Sequence, residues 1–361
     1  MCYDIDKDIT RAYTLPTEYY REKKWWTWSK DHLFAKSWQW IGTKHKYSSE
    51  ANVYPGKLLP DYLDQPFMIT RGTPSQWSAR SNVCTHRGAL LVTEPMSHPL
   101  IRCPYHGRCF GLDGRFRSMP GFEGVQNFPS DADHLAAYHL HDWQSLLFLK
   151  TKGDDDFNSI FKPIVDLMAF YPLIKLKPWR SSTYQLNAHW ALYVDNYLEG
   201  FHVPYVHPGL MAKLDLNRYE TQLFAGCSMQ IGVAKPDEPH LNIPPDHPLA
   251  GQAIYALYWW LFPNLMLNFY PWGLSLNLVV PITRHRTRIE FHYYLLEGAD
   301  EQWLEDTGIH QTELEDEAIV ELVHQGLQSG VYHRGRFSPL HEKGVHHFHR
   351  MISETMKANP C

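Results

Sequence analysis

The sequence is poor in the features that mark several large classes of protein. It has 6 cysteines in 361 residues, too few and too scattered for the disulfide framework of a small secreted domain. It has 34 basic against 39 acidic residues, so it lacks the positive excess with which proteins bind a phosphate backbone. Its first thirty residues contain scattered charges and no continuous apolar core, so no secretory signal is recognisable. We therefore expect a cytoplasmic protein that binds neither nucleic acid nor membrane.

An uninterrupted apolar run is also missing, although one stretch comes close. Residues 253–282 carry no charged side chain, but Pro263 and Pro271 interrupt them. A membrane helix needs about 20 consecutive apolar residues. Towards the end of the stretch, leucines alternate with Ser275 and Asn277, which is the period of a strand. The stretch therefore predicts buried β-sheet.

Aromatic residues, by contrast, are abundant, with 13 Trp, 21 Tyr and 17 Phe, and they supply a large core. The chain divides into three zones. Residues 1–40 are helical and aromatic and are expected to pack on the C-terminal zone. Residues 41–150 carry short strand-like runs between Gly, Pro and Asp-Gly turns, which is typical of a small all-β module. After an acidic linker at 154–156, residues 157–361 mix strands with long helices.

The strongest motif lies in the all-β zone, where Cys84-Thr-His86 is followed by Cys103-Pro-Tyr-His106. Two cysteines and two histidines are the ligands of a Rieske 2Fe-2S cluster, in which thiolates bind one iron and imidazoles the other. A structural zinc site uses the same ligand types and is the competing interpretation. Both pairs lie on loops with glycine, which would let backbone amides approach the cluster sulfurs. The strand-rich context and these glycines favour the Rieske cluster.

A second constellation lies in the C-terminal zone, in the sequence Asp195-Asn-Tyr-Leu-Glu199-Gly-Phe-His202-Val-Pro-Tyr-Val-His207. On a helix, Asp195, Glu199 and His202 would share one face. Pro204 would end that helix, so that His207 folds back towards His202. Two histidines and one carboxylate, with coordination positions left open, are the ligands of a mononuclear ferrous oxygenase. A pair of structural histidines is the alternative, and the nearby cluster motif weighs against it.

The missing carboxylate is expected on a helix from about residue 301 to residue 329. Its apolar stripe consists of Ile319, Val320, Val323 and Leu327. At about 100° per residue, Asp316 lies in the middle of this stripe. Glu313, Glu317 and Glu321 are expected to point to the side or away. Because a buried carboxylate is costly unless it faces a cation, Asp316 is the candidate third ligand. An acidic helix with a different packed face is the alternative.

These residues carry a resemblance over nearly the whole chain: the sequence resembles the oxygenase α subunit of the Rieske non-heme iron oxygenases. The resemblance implies an α+β fold, with an all-β Rieske 2Fe-2S domain at 41–150 and a catalytic domain at 157–361. The catalytic domain is expected to be a helix-grip fold, an antiparallel sheet around a long helix. Two cofactors are implied, a Rieske cluster and mononuclear Fe(II). The ligands implied are Cys84 and Cys103 for one cluster iron, His86 and His106 for the other, and His202, His207 and Asp316 for Fe(II).

The resemblance further implies how electrons reach the iron. Glu199 falls at the family's bridging carboxylate, which links a cluster histidine of one subunit to an iron histidine of its neighbour in a homotrimer. Because the chain has no GxGxxG fingerprint, electrons from NAD(P)H are expected through a separate flavin and iron-sulfur reductase or a ferredoxin.

Arg108 stands where many relatives have Trp, which predicts an altered docking surface beside the cluster. Asn196 is a candidate for positioning water or oxygen, or else an ordinary exposed helix residue.

Within the family, the sequence is most similar to the choline monooxygenase and carnitine oxygenase branch. The similar features are Glu199 in place of Asp, and the segments at 201–205, 260–264 and 345–349. The branch implies that O2 is used for monooxygenation or N-demethylation of a quaternary ammonium compound. Aromatic faces hold such a cation with about 0.5 to 2 kcal/mol per contact. The candidate pocket walls are Tyr193, Tyr197, Tyr205, Trp259, Trp260, Phe269, Tyr270 and Trp272.

Two other functions remain open from the sequence. The first is hydroxylation or cis-dihydroxylation of an aromatic acid, which Arg284, Arg286 or Arg288 would hold by its carboxylate. The second is a Rieske electron carrier without oxygen chemistry, which the complete set of three iron ligands disfavours.

The histidines at 346, 347 and 349 are expected at the surface or at an interface, with a further metal site as the alternative.

Overall fold

The computed structural model describes residues 3–47, 50–72, 77–299 and 308–360. The chain forms two compact units, Phe34–Asp154 and Met1–Leu33 together with Asp155–Cys361. The N-terminal aromatic zone is therefore divided at Leu33 and does not continue as one piece to residue 40. The reason is that the strand Gln39–Thr43 pairs with the strand Leu146–Lys150 of the first unit. Trp38 and Trp40 thus belong to the β module.

The unit Phe34–Asp154 is built from antiparallel strands. They are β1 Gln39–Thr43, β2 Val53–Leu58, β3 Gln65–Arg71, β4 Trp77–Ser81, β5 Leu100–Arg102, β6 Cys109–Gly111, β7 Phe116–Ser118, β8 Ala137–Trp143 and β9 Leu146–Lys150. One sheet has the order β1-β9-β8-β4-β3-β2, and a smaller one the order β5-β6-β7. The motif cysteines lie in a core cluster with Met68, Ile101 and Phe110. One motif loop follows β4 and the other joins β5 to β6.

The second unit combines helices with one large antiparallel sheet. Its helices are α1 Thr17–Arg21, α2 Lys23–His32, α3 Phe157–Leu167, α4 Trp190–Tyr197, α5 Val203–Val206, α6 Pro208–Lys213, α7 Ile309–Gln328 and α8 Lys343–Ala358. Its strands are β10 Lys177–Leu186, β11 Glu220–Leu223, β12 Cys227–Val233, β13 Ile254–Leu261, β14 Leu265–Tyr270, β15 Gly273–Thr283 and β16 Arg286–Leu295. The sheet order is β10-β16-β15-β14-β13-β12-β11. The expected α+β class, with an antiparallel sheet and a long helix in this unit, is confirmed; the part of the expected helix at 301–307 lies outside the described residues.

The apolar stretch at 253–282 forms β13, β14 and most of β15, which confirms the prediction of buried sheet. Pro263 and Pro271 lie in the turns between these strands, where a missing N–H interrupts no ladder. Among the described residues, no helix combines the length and the apolar character that crossing a membrane requires.

The histidines of α8 are structural. His346 and His349 are buried, so the expectation of surface or interface histidines is wrong for these two, while His347 is half-buried. The Nε2 of His346 contacts the carbonyl of Asp6 at 2.8 Å, and that of His347 contacts the carbonyl of Phe224 at 2.7 Å. These bonds tie α8 to distant segments of the same unit.

Candidate metal centre

The segment that holds Glu199 and His202 is not one continuous helix. Helix α4 ends at Tyr197, and the separate short helix α5 begins after His202. The carboxylate of Glu199 accepts hydrogen bonds from the N–H groups of Phe201 and His202, at the start of α5. Pro204 lies in the first turn of α5, where its missing N–H costs nothing. The prediction that Pro204 ends a helix shared by Asp195, Glu199 and His202 is therefore wrong.

His202, His207 and Asp316 nevertheless converge on one point. The Nε2 atoms of the two histidines are 3.2 Å apart. Asp316 Oδ1 lies 3.0 Å from His207 Nε2 and 3.5 Å from His202 Nε2. The His207 side chain is only 1% exposed, and those of His202 and Asp316 are 16% and 15% exposed. Two imidazole nitrogens and one carboxylate oxygen thus meet in a partly enclosed space.

Two further carboxylates fix which nitrogen of each histidine faces that point. His202 Nδ1–H donates to Glu199 Oε1 at 2.7 Å, and His207 Nδ1–H donates to Glu315 Oε2 at 2.8 Å. With the proton held on Nδ1, each Nε2 offers a lone pair towards Asp316. Three acceptor atoms so close together repel one another unless a cation lies between them. The donor set fits a divalent metal, and two histidines with one carboxylate suit non-heme iron.

The pKa of His207 reflects the same crowding of negative charge. Burial by itself would lower the pKa of this imidazole, but the carboxylates of Asp316 and Glu315 outweigh burial and raise it above its usual value. In the absence of a metal ion, a proton is thus drawn to the centre. A metal ion would take the place of that proton.

Asn196 lies at the edge of this centre. It is half-buried near the end of α4, and its Nδ2 donates a hydrogen bond to Asp316 Oδ1. The amide therefore contacts the candidate ligand Asp316 and orients its carboxylate.

A cavity of about 860 Å³, its open mouth included, adjoins the three side chains. Its aromatic walls are Tyr193, Tyr197, Tyr219, Tyr255, Tyr258 and Tyr270. A row of polar side chains crosses its floor, because directly paired residues of adjacent strands point to the same side of a sheet. These are Gln230 opposite Tyr258, Tyr258 opposite Asn268, and Asn268 opposite Ser275. The cavity thus offers tyrosine rings together with neutral amides and hydroxyls.

Only some of the predicted walls line this cavity. Tyr193, Tyr197 and Tyr270 do. The predictions for Tyr205, Trp259, Trp260, Phe269 and Trp272 are wrong. Tyr205 is 82% exposed, whereas the other four are buried away from the cavity.

Strand period explains two of these errors. Trp259 follows Tyr258 and Phe269 follows Asn268, so both point to the opposite side of the sheet. There Trp259 stacks on Phe224, with ring centroids 5.6 Å apart.

The packed face of α7 also differs from the prediction. Glu313 is buried at 9% exposure and accepts a hydrogen bond from Tyr193 Oη at 2.9 Å, so it points inward and not to the side. Val323, expected in the buried stripe, is 46% exposed. The buried positions are Glu313, Val320, His324 and Leu327. Two of them are polar, and the apolar residues alone therefore predicted a rotated face. Burial and the charge of Asp316 raise the pKa of Glu313 well above its usual value.

The Cys-His motifs of the first unit form two loops with matching backbone bonds. Gly88 N–H donates to Cys84 O at 3.0 Å, and Gly107 N–H donates to Cys103 O at 3.1 Å. Both glycines have left-handed φ values of 70° and 72°, which a side chain would strain. The rings of His86 and His106 lie 4.9 Å apart.

The thiols of these loops are placed for metal binding. Cys84 and Cys103 are buried and form no disulfide, and their thiols are within hydrogen-bonding reach of each other. Burial raises the pKa of Cys84, while the backbone N–H groups of His86 and Arg87 act to lower it. Two thiols and two imidazoles on adjacent loops, with amides directed at sulfur, fit a Rieske cluster.

Arg108 does not form a docking surface. Its side chain is 2% exposed and pairs with Asp133 at 2.6 Å. The guanidinium lies over the rings of Phe116 and Phe128, at 4.9 and 5.3 Å from their centroids. The prediction that Arg108 alters the exterior beside the cluster is therefore wrong, because this cation is enclosed by aromatic rings and a carboxylate.

Sequence reasoning missed Glu315 as the partner of His207 and Glu313 as part of the wall of the adjoining cavity. Glu315 directly precedes the candidate ligand Asp316. An acidic residue next to a ligand position could have been predicted to accept the Nδ1 proton of a ligand histidine. Glu313 lies one helical turn before Asp316 and shares its side of α7, so the spacing of three was the available signal. Tyr258 has no local signal, since only the strand register brings it to the cavity.

Comparison with known proteins covers both units. The chloroplastic choline monooxygenase of Arabidopsis thaliana is 28% identical over 98% of this chain and 86% of its own length. The carnitine monooxygenase oxygenase subunit of Escherichia coli K12 is 28% identical over 96% of this chain and 94% of its own length. In fold, the chain is similar to a quaternary ammonium Rieske monooxygenase in complex with L-carnitine, with a TM-score of 0.78, 21% identity and 98% of each chain covered.

The family comparison agrees with the geometry. Residues 38–129 match the Rieske [2Fe-2S] domain, and residues 173–358 match the ring hydroxylating alpha subunit (catalytic domain). The expectations of an oxidoreductase with a Rieske cluster and a mononuclear iron are thereby confirmed. With its cluster loops in one unit and its His-His-Asp centre in the other, the chain belongs to the family of ring-hydroxylating oxygenase alpha subunits that carry a Rieske domain.

Proposed function

We propose that this chain is the oxygenase component of a Rieske non-heme iron system that oxidises a quaternary ammonium compound. The observation that carries the proposal is the centre of His202, His207 and Asp316 beside a cavity walled by tyrosine rings. Aromatic faces bind a permanent cation, which offers no hydrogen bond of its own. The similar choline and carnitine monooxygenases support the same substrate class.

The residues that would hold the cofactors follow from the donor atoms. Cys84, Cys103, His86 and His106 would hold the Rieske cluster, and His202, His207 and Asp316 the iron. When bound, these groups supply electrons and the activation of O2. The chain's own residues prepare the site. Glu199 and Glu315 retain the Nδ1 protons of the two histidines, and Asn196 orients the carboxylate of Asp316. The tyrosine walls bind the substrate and exclude water around it.

The overall reaction consumes O2, two electrons and two protons, places one oxygen atom in a C–H bond and releases the other as water. At an N-methyl carbon, the resulting carbinolamine breaks its C–N bond, and formaldehyde and the demethylated amine are released. At an alcohol carbon, the resulting geminal diol loses water to give an aldehyde. A cavity that binds the ammonium group by its charge does not hold one particular methyl group, so oxidation at an N-methyl carbon and oxidation at an alcohol carbon are both compatible with it.

The electron donor and the assembly are part of the proposal. We infer that NAD(P)H electrons arrive through a separate reductase or a ferredoxin, because the chain lacks a dinucleotide fingerprint. We also infer a homotrimer in which Glu199 bridges neighbouring subunits, in keeping with the inter-subunit electron transfer described for a related quaternary ammonium monooxygenase. A reducing compartment such as the cytoplasm suits the described cysteines, none of which forms a disulfide.

The two alternatives from the sequence have less support. An aromatic acid would need a cation in the cavity, but Arg284, Arg286 and Arg288 do not line it. Arg284 donates to the carbonyl of Arg21 at 2.5 Å, and Arg288 pairs with Glu290 at 2.8 Å. A pure electron carrier would have no use for the His-His-Asp centre.

A single-turnover experiment tests the proposed function. The protein is reduced with dithionite under anaerobic conditions and is then mixed with O2 and one compound from a panel of choline, betaines, carnitine and aromatic acids. We expect that only a quaternary ammonium compound accelerates reoxidation of the cluster and gains oxygen or loses a methyl group. His202→Ala, which keeps the cluster loops intact, should abolish this acceleration. Product from an aromatic acid, or from none of the compounds, would overturn the proposal.

A further inference from the structure

An acidic side chain stands in the cavity wall without a role in the metal centre. Glu313 is 9% exposed and lines the cavity on α7, one turn before Asp316. Among the described residues, its hydrogen-bond donor is the phenol of Tyr193, at 2.9 Å. A phenol does not neutralise a carboxylate. Without a cation nearby, burial and the charge of Asp316 raise the pKa of Glu313 and favour its protonated form, whereas a bound quaternary ammonium group would favour the ionised form.

Neither lysine nor arginine supplies that positive charge. The described residues that line the cavity include no Lys or Arg. The residues outside the described ranges include none either, so every Lys and Arg of the chain has a described position. The other two lining carboxylates belong to the metal centre, since Glu199 accepts from His202 and Asp316 is a candidate metal ligand. Glu313 is thus the acid in this cavity that is left to face a bound molecule.

The remainder of the lining is aromatic or neutral. Tyrosine rings surround the space, and the amides of Gln230, Asn268 and Asn277 and the hydroxyl of Ser275 border it. Rings hold a quaternary ammonium group, while amides and hydroxyls bond to an alcohol. A carboxylate on the bound molecule would find no cation among these side chains and would be repelled by Glu313.

We propose that Glu313 is the counter-ion of the substrate's quaternary ammonium group and that the cavity selects cations whose other end is neutral, such as an amino alcohol, over zwitterions. This inference rests on the proposed function and narrows it. Glu313 is a specificity-determining residue that contacts the substrate, distinct from the residues that hold the metal.

Isothermal titration of the oxidised, iron-loaded protein under anaerobic conditions tests the inference without turnover. The ligands are choline, its uncharged isostere 3,3-dimethyl-1-butanol, and glycine betaine. The wild-type protein should bind choline at least about tenfold more tightly than either of the others, the factor expected of one hydrogen bond or contact to a charged group. Glu313→Gln should remove most of the preference for choline over its isostere, while affinity for the isostere changes by less than about twofold.

Two further variants make the result specific. Glu317→Gln removes the same charge one turn along α7, outside the cavity lining, and should leave the preference for choline unchanged. Glu313→Asp keeps the charge and should retain the preference, which guards against a folding defect of the Gln variant. The wild-type comparison of three ligands needs no variant at all.

The outcomes separate this inference from the proposed function. If quaternary ammonium compounds bind but Glu313→Gln keeps the preference for choline over its isostere, the counter-ion role is refuted and the proposed function stands. Equal binding of glycine betaine and choline by the wild-type protein would refute the selection against zwitterions. If no quaternary ammonium compound binds the wild-type protein, the proposed function itself fails.

Discussion

Removal of the charge at Glu315 should weaken iron binding without touching a ligand. Glu315 Oε2 accepts the Nδ1 proton of His207 at 2.8 Å, which keeps Nε2 free for a metal. Loss of such a partner lowers metal affinity about 10- to 100-fold, or about 1.4 to 2.8 kcal/mol. Because the Glu315 side chain is 24% exposed and partly screened by water, we expect the lower end, about tenfold, for Glu315→Gln.

The assay reloads iron-depleted protein in a series of ferrous chelator buffers and counts the mononuclear iron bound, with the cluster absorbance as an internal standard. Glu321→Gln is the matched control. It removes the same charge from the same helix, but Glu321 accepts from Asn187 and from no histidine of the centre. Equal iron affinities for the Glu315→Gln and Glu321→Gln variants would refute the reasoning. Glu315→Ala, which also loses the acceptor, should bind iron no better than Glu315→Gln.

Further predictions concern the metal count, the buried histidines and the β module. Asp316→Asn should lower iron from about three to about two atoms per chain and leave the visible spectrum of the cluster unchanged; loss of all iron would contradict this. Burial lowers the pKa of His324 to about 4 and that of His189 to about 3, so both are neutral when folded and take up protons more readily when unfolded. The free energy of unfolding, measured by urea titration, should therefore fall as the pH is lowered from about 6.5 towards 4, and less steeply in His324→Gln; an equal slope in the variant would contradict this. Arg108→Ala should reduce the free energy of unfolding by about 2 to 4 kcal/mol, because it leaves a void between aromatic rings and Asp133 without its partner; a loss below about 0.5 kcal/mol would contradict the burial of this ion pair.

Local patterns predicted much of the fold and the choice of chemistry. The apolar stretch at 253–282 was predictable as sheet because prolines and a period of two are properties of the sequence alone. The cluster motif was recognisable because its ligands lie on two short loops whose shape glycine sets locally. His202 and His207 were recognisable as a pair because they lie only five positions apart in the sequence.

The predictions failed where packing against a second helix or strand determines which face of an element is directed at the cavity or the core. Residues along β14 are buried on both faces, so an alternation of apolar and polar residues does not reveal which side faces the cavity. The prediction of Phe269 as a cavity wall therefore failed, because the neighbouring Asn268 lies on the cavity side of the strand. The packed face of α7 was misjudged because two of its buried positions are polar, and a periodicity of apolar residues does not detect them.

The sequence by itself determined the cofactor chemistry, the fold class and the short-range ligand pairs, because each depends on residue types at close spacing. The tertiary structure alone decided how the centre is completed. Glu315 meets His207 across 108 residues, and Tyr193 meets Glu313 across 120. The tertiary structure also places Arg108 among aromatic rings. Such contacts depend on which faces of separate elements turn towards each other, and this is set by strand register and helix packing, not by any local pattern.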